Sequence, residues 1–116
     1  IVLAYSVRSA AELAYQALIA DLARREWLEG VAHKLVYLPV VTRENLPGCL
    51  QARLTALLDS GELERAAGLA ITPGDSRLML CGNPAMVEEL HARLKARGLQ
   101  LSLSRRPGQL ALENYW

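Results

Sequence analysis

Cysteine is scarce in this chain of 116 residues, and the two that occur, Cys49 and Cys81, lie 32 positions apart. Neither sits in a Cys-x-x-Cys motif or beside a histidine cluster, which argues against a disulfide framework and against a zinc site. Reduced thiols in a cytoplasmic protein are the expectation. Charge of one sign is lacking as well: the net charge is +1, with the arginines spread along the chain. That leaves no general basis for nucleic-acid binding or for attachment to an anionic membrane, so any anion site must be local. No apolar run approaches the roughly 20 residues of a membrane span, and no charged-then-apolar leader is present. Gly-x-Gly-x-x-Gly and Gly-x-x-x-x-Gly-Lys are both missing, so nothing here cradles a pyrophosphate on its own. A Gly-x-Ser-x-Gly elbow is missing too, which removes a Ser–His–Asp hydrolase of that type. Repeats, low-complexity tracts and internal linkers do not occur.

What is present is a balance of 52% apolar and 22% charged residues, ordinary for one globular domain with a real core. The pattern alternates between strand and helix. "IVLAYS" (1–6) reads as a core strand without a preceding loop or cap, as at a cut end. Ser9 and Glu12 form a capping box that opens a helix reaching about Arg25, with Leu13, Ala14, Ala17, Leu18 and Leu22 inward. "LVYLPVV" (35–41) is a second strand, which Pro39 confines to an edge or bends. Helices follow over 50–61 and, as a short turn, over 62–68 ending at Gly68. Thr72–Asp75 makes a loop into a strand at 77–81. Its Leu78–Cys81 run suits burial on both faces. A helix over 84–97 has Met86, Leu90 and Leu94 on one side and Gly98 as its cap, and "LQLSLS" (99–104) gives a last strand. Strands alternating with helices predict an α/β fold, a parallel sheet with helices on both faces in three αβα layers.

The strand-to-helix junction "CGNPAMVEEL" is the most informative local feature. Pro84 suits a first helical position, and Gly82 lets a flat group approach the backbone at the carboxyl end of a strand. The local sequence fits a packing turn as well as a ligand-binding one. The two histidines, His33 and His91, read as surface residues, and Cys49, at a loop-to-helix junction, as structural. A receiver domain of a response regulator shares the alternating pattern but needs acidic residues clustered at its strand tips. Here the tips read Ser6-Val7-Arg8 and Thr42-Arg43.

Taken together, "SVRSAAELAY", "VVTRENLPGCLQAR", "CGNPAMVEEL" and "RRPGQLALENYW" resemble, in order and over nearly the whole chain, the NADP-binding half of a bacterial ferredoxin/flavodoxin–NADP+ reductase. The resemblance implies a ferredoxin reductase-like NADP-binding domain fragment over 1–116, lacking its first strand with the phosphate loop and the amino-terminal FAD domain. It implies NADP and, in the parent protein, FAD as cofactors, and ferredoxin or flavodoxin as partner. The parent would be an oxidoreductase, with this chain alone inactive. A non-catalytic nucleotide-fold interaction module is the alternative, separable by binding of 2′-phospho-ADP-ribose.

The resemblance also assigns residues. Arg43 and Arg53, with Arg8, would hold the 2′-phosphate, for which a planar guanidinium fork is better suited than lysine. An NAD site would instead place an acid on the ribose hydroxyl, and neither strand tip carries one, although Glu44 could pair with Arg43. Cys81 would position the nicotinamide beside the Gly82-Asn83-Pro84 turn, as a packing group and not a nucleophile. Glu113 would lie near the hydride-transfer centre, Tyr115 would stack on the flavin, and Trp116 would rest near the FAD adenine. Arg105 and Arg106 are expected as a solvated pair. The fold family has strand order 3-2-1-4-5. The strands at 1–6 and 77–81 are therefore expected to flank a central slot, filled by a segment outside this sequence or by a second copy through the exposed sheet edge.

Overall fold

The computed structural model describes residues 1–22 and 24–115. The chain divides into two compact units, Ile1–Leu57 and Leu58–Trp116. In the first, β1 (Val2–Val7) and β2 (Val36–Val41) form a parallel pair in the register Val2↔Val36 to Val7↔Val41. The ladder has a definite sidedness. Val36 N–H donates to the Ile1 carbonyl and Thr42 N–H to that of Val7. The odd residues of β1 and the even residues of β2 therefore face each other. Pro39 is odd, so its missing N–H costs this ladder nothing. On that outer side its carbonyl accepts the Leu50 N–H at 2.9 Å, and Val40 makes a parallel one-residue bridge to Leu50. Val40 and Val41 are fully buried.

The connection between β1 and β2 departs from the helix expected up to Arg25. The capping box forms at Ser9 and Glu12, but it starts only a 3-10 turn, Ala10–Glu12. Tyr15 then takes φ +64°, a left-handed conformation rare for a side chain of that size. α1 (Gln16–Leu22) starts after this break, with the Tyr15 carbonyl accepting the Ile19 N–H. The break re-aims the helix: Ile19 and Leu22 are half-buried, whereas Ala14, Ala17 and Leu18 are exposed. Two further 3-10 turns, Glu26–Leu28 and Ala32–Lys34, lead into β2. α2 (Leu54–Ser60) begins four residues later than the sequence pattern suggests, because residue 50 is engaged by β2.

In the second unit, α3 (Glu62–Ala67) stands between Gly61 and Gly68, both left-handed, and ends at Gly68 as expected. β3 (Leu78–Gly82) pairs in parallel with β4 (Leu110–Asn114). Residues 99–104 are not the expected last strand. Leu101 makes one bridge to Leu110, and the chain then reverses between Leu103 and Arg106. Gly108 makes this crossing possible, since a Cβ there would overlap the backbone of Gln100 and Leu101. Residues 110–114 take the ladder position instead. β3 is also not covered on both faces: Met79 is 73% exposed, while Leu78 and Leu80 are half-buried.

α4 (Pro84–Ala96) is specified at both ends. The Asn83 side chain accepts the Ala85 and Met86 N–H groups, and Pro84 occupies the first turn. At the other end Gly98 has φ +91°, its N–H donates to the Lys95 carbonyl, and Leu99 N–H donates to that of Leu94. That is the paired-bond stop of a left-handed cap. Val87, Leu90 and Leu94 are buried, with Met86 half-buried, so the inward stripe is displaced slightly from the expected one. Full burial of Leu94, Leu99 and Leu110 contributes about 1.5–3 kcal/mol each. Among the described residues β1 pairs with no strand but β2, and β3 with none but β4.

Candidate functional site

Two groups of residues stand at carboxyl ends of strands, one in each unit. In the first unit the ladder runs on past the strands: Arg43 N–H donates to the Arg8 carbonyl at 3.0 Å, so the two residues leave the sheet side by side. Arg53 follows on the segment bridged to β2. Val40 bridges Leu50 in parallel, and Arg43 and Arg53 each lie three residues beyond that bridge. Arg53 immediately precedes α2 instead of sitting in its first turns, its carbonyl accepting the Leu57 N–H.

The three guanidinium groups differ in commitment. Among the described residues no hydrogen bond or ion pair holds the Arg43 or Arg53 side chain, and both residues are exposed. Glu44, which could have paired with Arg43, does not: one of its carboxylate oxygens accepts the Ala10 N–H at 3.1 Å. Arg8 is engaged: its Nη2 lies 2.9 Å from Glu12 Oε1. The other oxygen, Oε2, accepts the N–H groups of Arg8 and Ser9 at 2.9 and 3.0 Å. The Arg8 guanidinium, then the Ser9 N–H, hold the Glu12 carboxyl below its usual range. Glu12 was legible in the sequence only as half of a capping box.

In the second unit, Cys81 is in register with Glu113 and Gly82 with Asn114, and Tyr115 N–H donates to the Gly82 carbonyl at 3.2 Å. Gly82 has φ +135°, and a Cβ there would meet Met86 Cε at 3.2 Å. The backbone conformation calls for glycine at this point, and the Met86 methyl would have to give way to any side chain. Cys81 is a free, half-buried thiol, Glu113 is exposed, and the Tyr115 ring is 64% exposed. A hydrogen bond with Cys81, then the negative charge that Cys81 and Glu113 can carry beside it, push the Tyr115 hydroxyl above its ordinary value. Cys81, Glu113 and Tyr115 are thus brought together at the end of β3, next to the Gly82-Asn83-Pro84 turn. Trp116 lies outside the described residues.

Other features do not add to these groups. Arg105 and Arg106 are exposed at the reversal before β4, the opposite end of β3 and β4 from Cys81. His33 is exposed, and His91 is half-buried on α4, less superficial than expected. An apolar hollow lined by Ile1, Leu22, Leu28, Val31 and Leu35 opens at the amino ends of β1 and β2, away from the arginines. Among the described residues no cluster of His, Cys, Asp and Glu could hold a metal, and no helix is long and apolar enough to cross a membrane.

No protein-family model matches the chain. It is 44% identical over 117 residues to a flavodoxin/ferredoxin–NADP reductase of Shigella flexneri, a match covering 100% of the chain and 45% of that protein. A ferredoxin–NADP reductase of Azotobacter vinelandii is 44% identical over 105 residues, 88% of the chain and 40% of the relative. Among solved structures, a ferredoxin NADP+ reductase from Neisseria gonorrhoeae with bound FAD and NADP superposes with a TM-score of 0.86 at 32% identity, over 99% of the chain and 44% of that protein. An Amycolatopsis cytochrome P450 reductase, 23% identical with a TM-score of 0.65, shares the fold. The chain spans less than half the length of these relatives. It has the ferredoxin reductase-like α/β fold and is related, over its whole length, to the flavodoxin/ferredoxin–NADP reductases.

Proposed function

We propose that the chain is the NADP(H)-binding part of a flavoenzyme that exchanges electrons between NADPH and ferredoxin or flavodoxin. The observation that carries this reading is the match along the entire chain to reductases of that name, together with the likeness to one that holds FAD and NADP. The residues present fit the cofactor. Arg43 and Arg53 offer uncommitted guanidinium groups at the strand ends, where a 2′-phosphate gains charge-assisted, forked hydrogen bonds. The nearby carboxylates do not oppose them freely, since Glu44 is turned to Ala10 and Glu12 to Arg8 and Ser9.

At the end of β3 the residues order a flat ring. Gly82 leaves the backbone bare, Asn83 closes the first turn of α4, and the Cys81 thiol offers a small polarizable surface. Tyr115, Trp116 and Glu113 are assigned to the flavin side. When bound, the flavin supplies the conversion of a two-electron hydride into single-electron steps, which no side chain here performs.

The test is cofactor choice in the full-length protein. Arg43→Ala and Arg53→Ala should each weaken NADPH binding by about 1.5–3 kcal/mol and leave NADH nearly unchanged. Equal losses for both cofactors would refute the assignment.

A further inference from the structure

We infer that Glu12 sets the strength of the 2′-phosphate site by holding Arg8 in an internal ion pair that the phosphate must displace. The inference rests on the NADP reading above and deepens it. Its basis is the unequal hold on the two partners. Glu12 is anchored: Oε2 takes the backbone N–H groups of both Arg8 and Ser9 at 2.9 and 3.0 Å, so the carboxylate is part of the turn after β1. Arg8 is tethered by one contact, Nη2 to Oε1 at 2.9 Å, and its side chain is 68% exposed. The arginine can leave, and the carboxylate stays.

Arg8 emerges beside Arg43, backbone to backbone, so the released guanidinium is free to join that of the uncommitted Arg43. Glu12 takes up one donor edge of Arg8, which the incoming phosphate must win back. An exposed pair of this kind is worth little, so the device trims affinity instead of abolishing it. It acts on the phosphorylated nucleotide and hardly on the one that lacks the 2′-phosphate. Glu12 is therefore a specificity-determining residue that need not touch the ligand.

The experiment compares 2′-phospho-ADP-ribose with ADP-ribose by titration calorimetry on the full-length protein. Glu12→Gln keeps an oxygen for the backbone N–H groups and removes the charge. It should tighten 2′-phospho-ADP-ribose about two- to fivefold, the range of an exposed ion pair. ADP-ribose should change less than that, and the gain should vanish in an Arg8→Ala background. Weaker binding in Glu12→Gln, or a gain that survives without Arg8, overturns the inference. Arg43→Ala separates the two levels. If it lowers 2′-phospho-ADP-ribose affinity while Glu12→Gln has no effect, the site stands and the inference falls. If Arg43→Ala has no effect either, both fall. A second measurement needs no variant: the Glu12 carboxyl carbon resonance of the unmodified protein should shift with 2′-phospho-ADP-ribose and not with ADP-ribose. An unmoved resonance overturns the displacement.

Discussion

Cys81 and Tyr115 illustrate what single residues contribute and how far they could be read in advance. Cys81 faces Glu113 in register at the end of β3, and its proposed role is to shape the surface on which a nicotinamide lies. A group of that kind acts on the approach of the reacting atoms more than on affinity. Cys81→Ala in the full-length protein is therefore expected to lower the hydride-transfer rate by about tenfold, with KM for NADPH changed far less. Pre-steady-state reduction of the flavin measures this, and a raised KM with an unchanged rate would contradict the role. Residue types at strand tips were legible from sequence, because Arg8 and Arg43 stand just past largely apolar runs. Their partners were not. Glu44, next to Arg43 in sequence, bonds to Ala10, thirty-four positions away, a choice made by the turn after β1.

Elements were legible where caps and periodicity agreed. α4 begins at Pro84 and stops at Gly98, and α3 stops at Gly68, all from local chemistry that the sequence displays. The failures have a common cause. "LQLSLS" and "LALEN" alternate equally well, and the contest for the place beside β3 was decided by the close crossing at Gly108, which periodicity does not report. Nor does any pattern announce the left-handed Tyr15 that cuts the expected first helix short.

Long-range ties between elements were equally hidden, and one of them has a pH signature. Glu64 on α3 accepts the Ile71 N–H at 2.8 Å and the Arg97 guanidinium at 2.6 Å, while Arg97 also donates to the Leu58 carbonyl. The Ile71 N–H first, then Arg97, lower the Glu64 carboxyl from its ordinary 4.5. A carboxyl held below its unfolded value stabilises the fold above that value, and the contribution is lost as pH falls through the lowered one. Glu64→Gln should cost about 1–2 kcal/mol at pH 7. The difference from the parent protein should shrink progressively below about pH 4.5. Urea denaturation at pH 7 and at pH 3.5 checks this, and an equal difference at both would show that the charge contributes nothing.

At the scale of the molecule, the sequence pattern carried the class of fold, since parallel strands separated by helices leave few arrangements. It did not carry which strands touch. Among the described residues β1 meets β2 and β3 meets β4. The sidedness of the β1–β2 ladder turns this into a specific prediction. Odd residues of β1 bond inward to β2, so Val2, Ala4 and Ser6 direct their N–H and C=O groups to the outer edge, where no strand of the described residues pairs with them. Such an edge is a template for another strand, and a two-stranded sheet is marginal by itself. Ile1 and Leu3 beside it are 86% and 41% exposed. The 116-residue chain in isolation is expected to associate with a second copy along this edge, which sedimentation velocity over a range of concentrations would detect. Ala4→Pro removes one outward N–H and leaves the inward ladder intact, as Pro39 does on β2, so it should return the chain to monomers without loss of strand signal in circular dichroism. A chain that stays monomeric at every concentration, or one whose association is indifferent to Ala4→Pro, would show that this edge is not where copies meet.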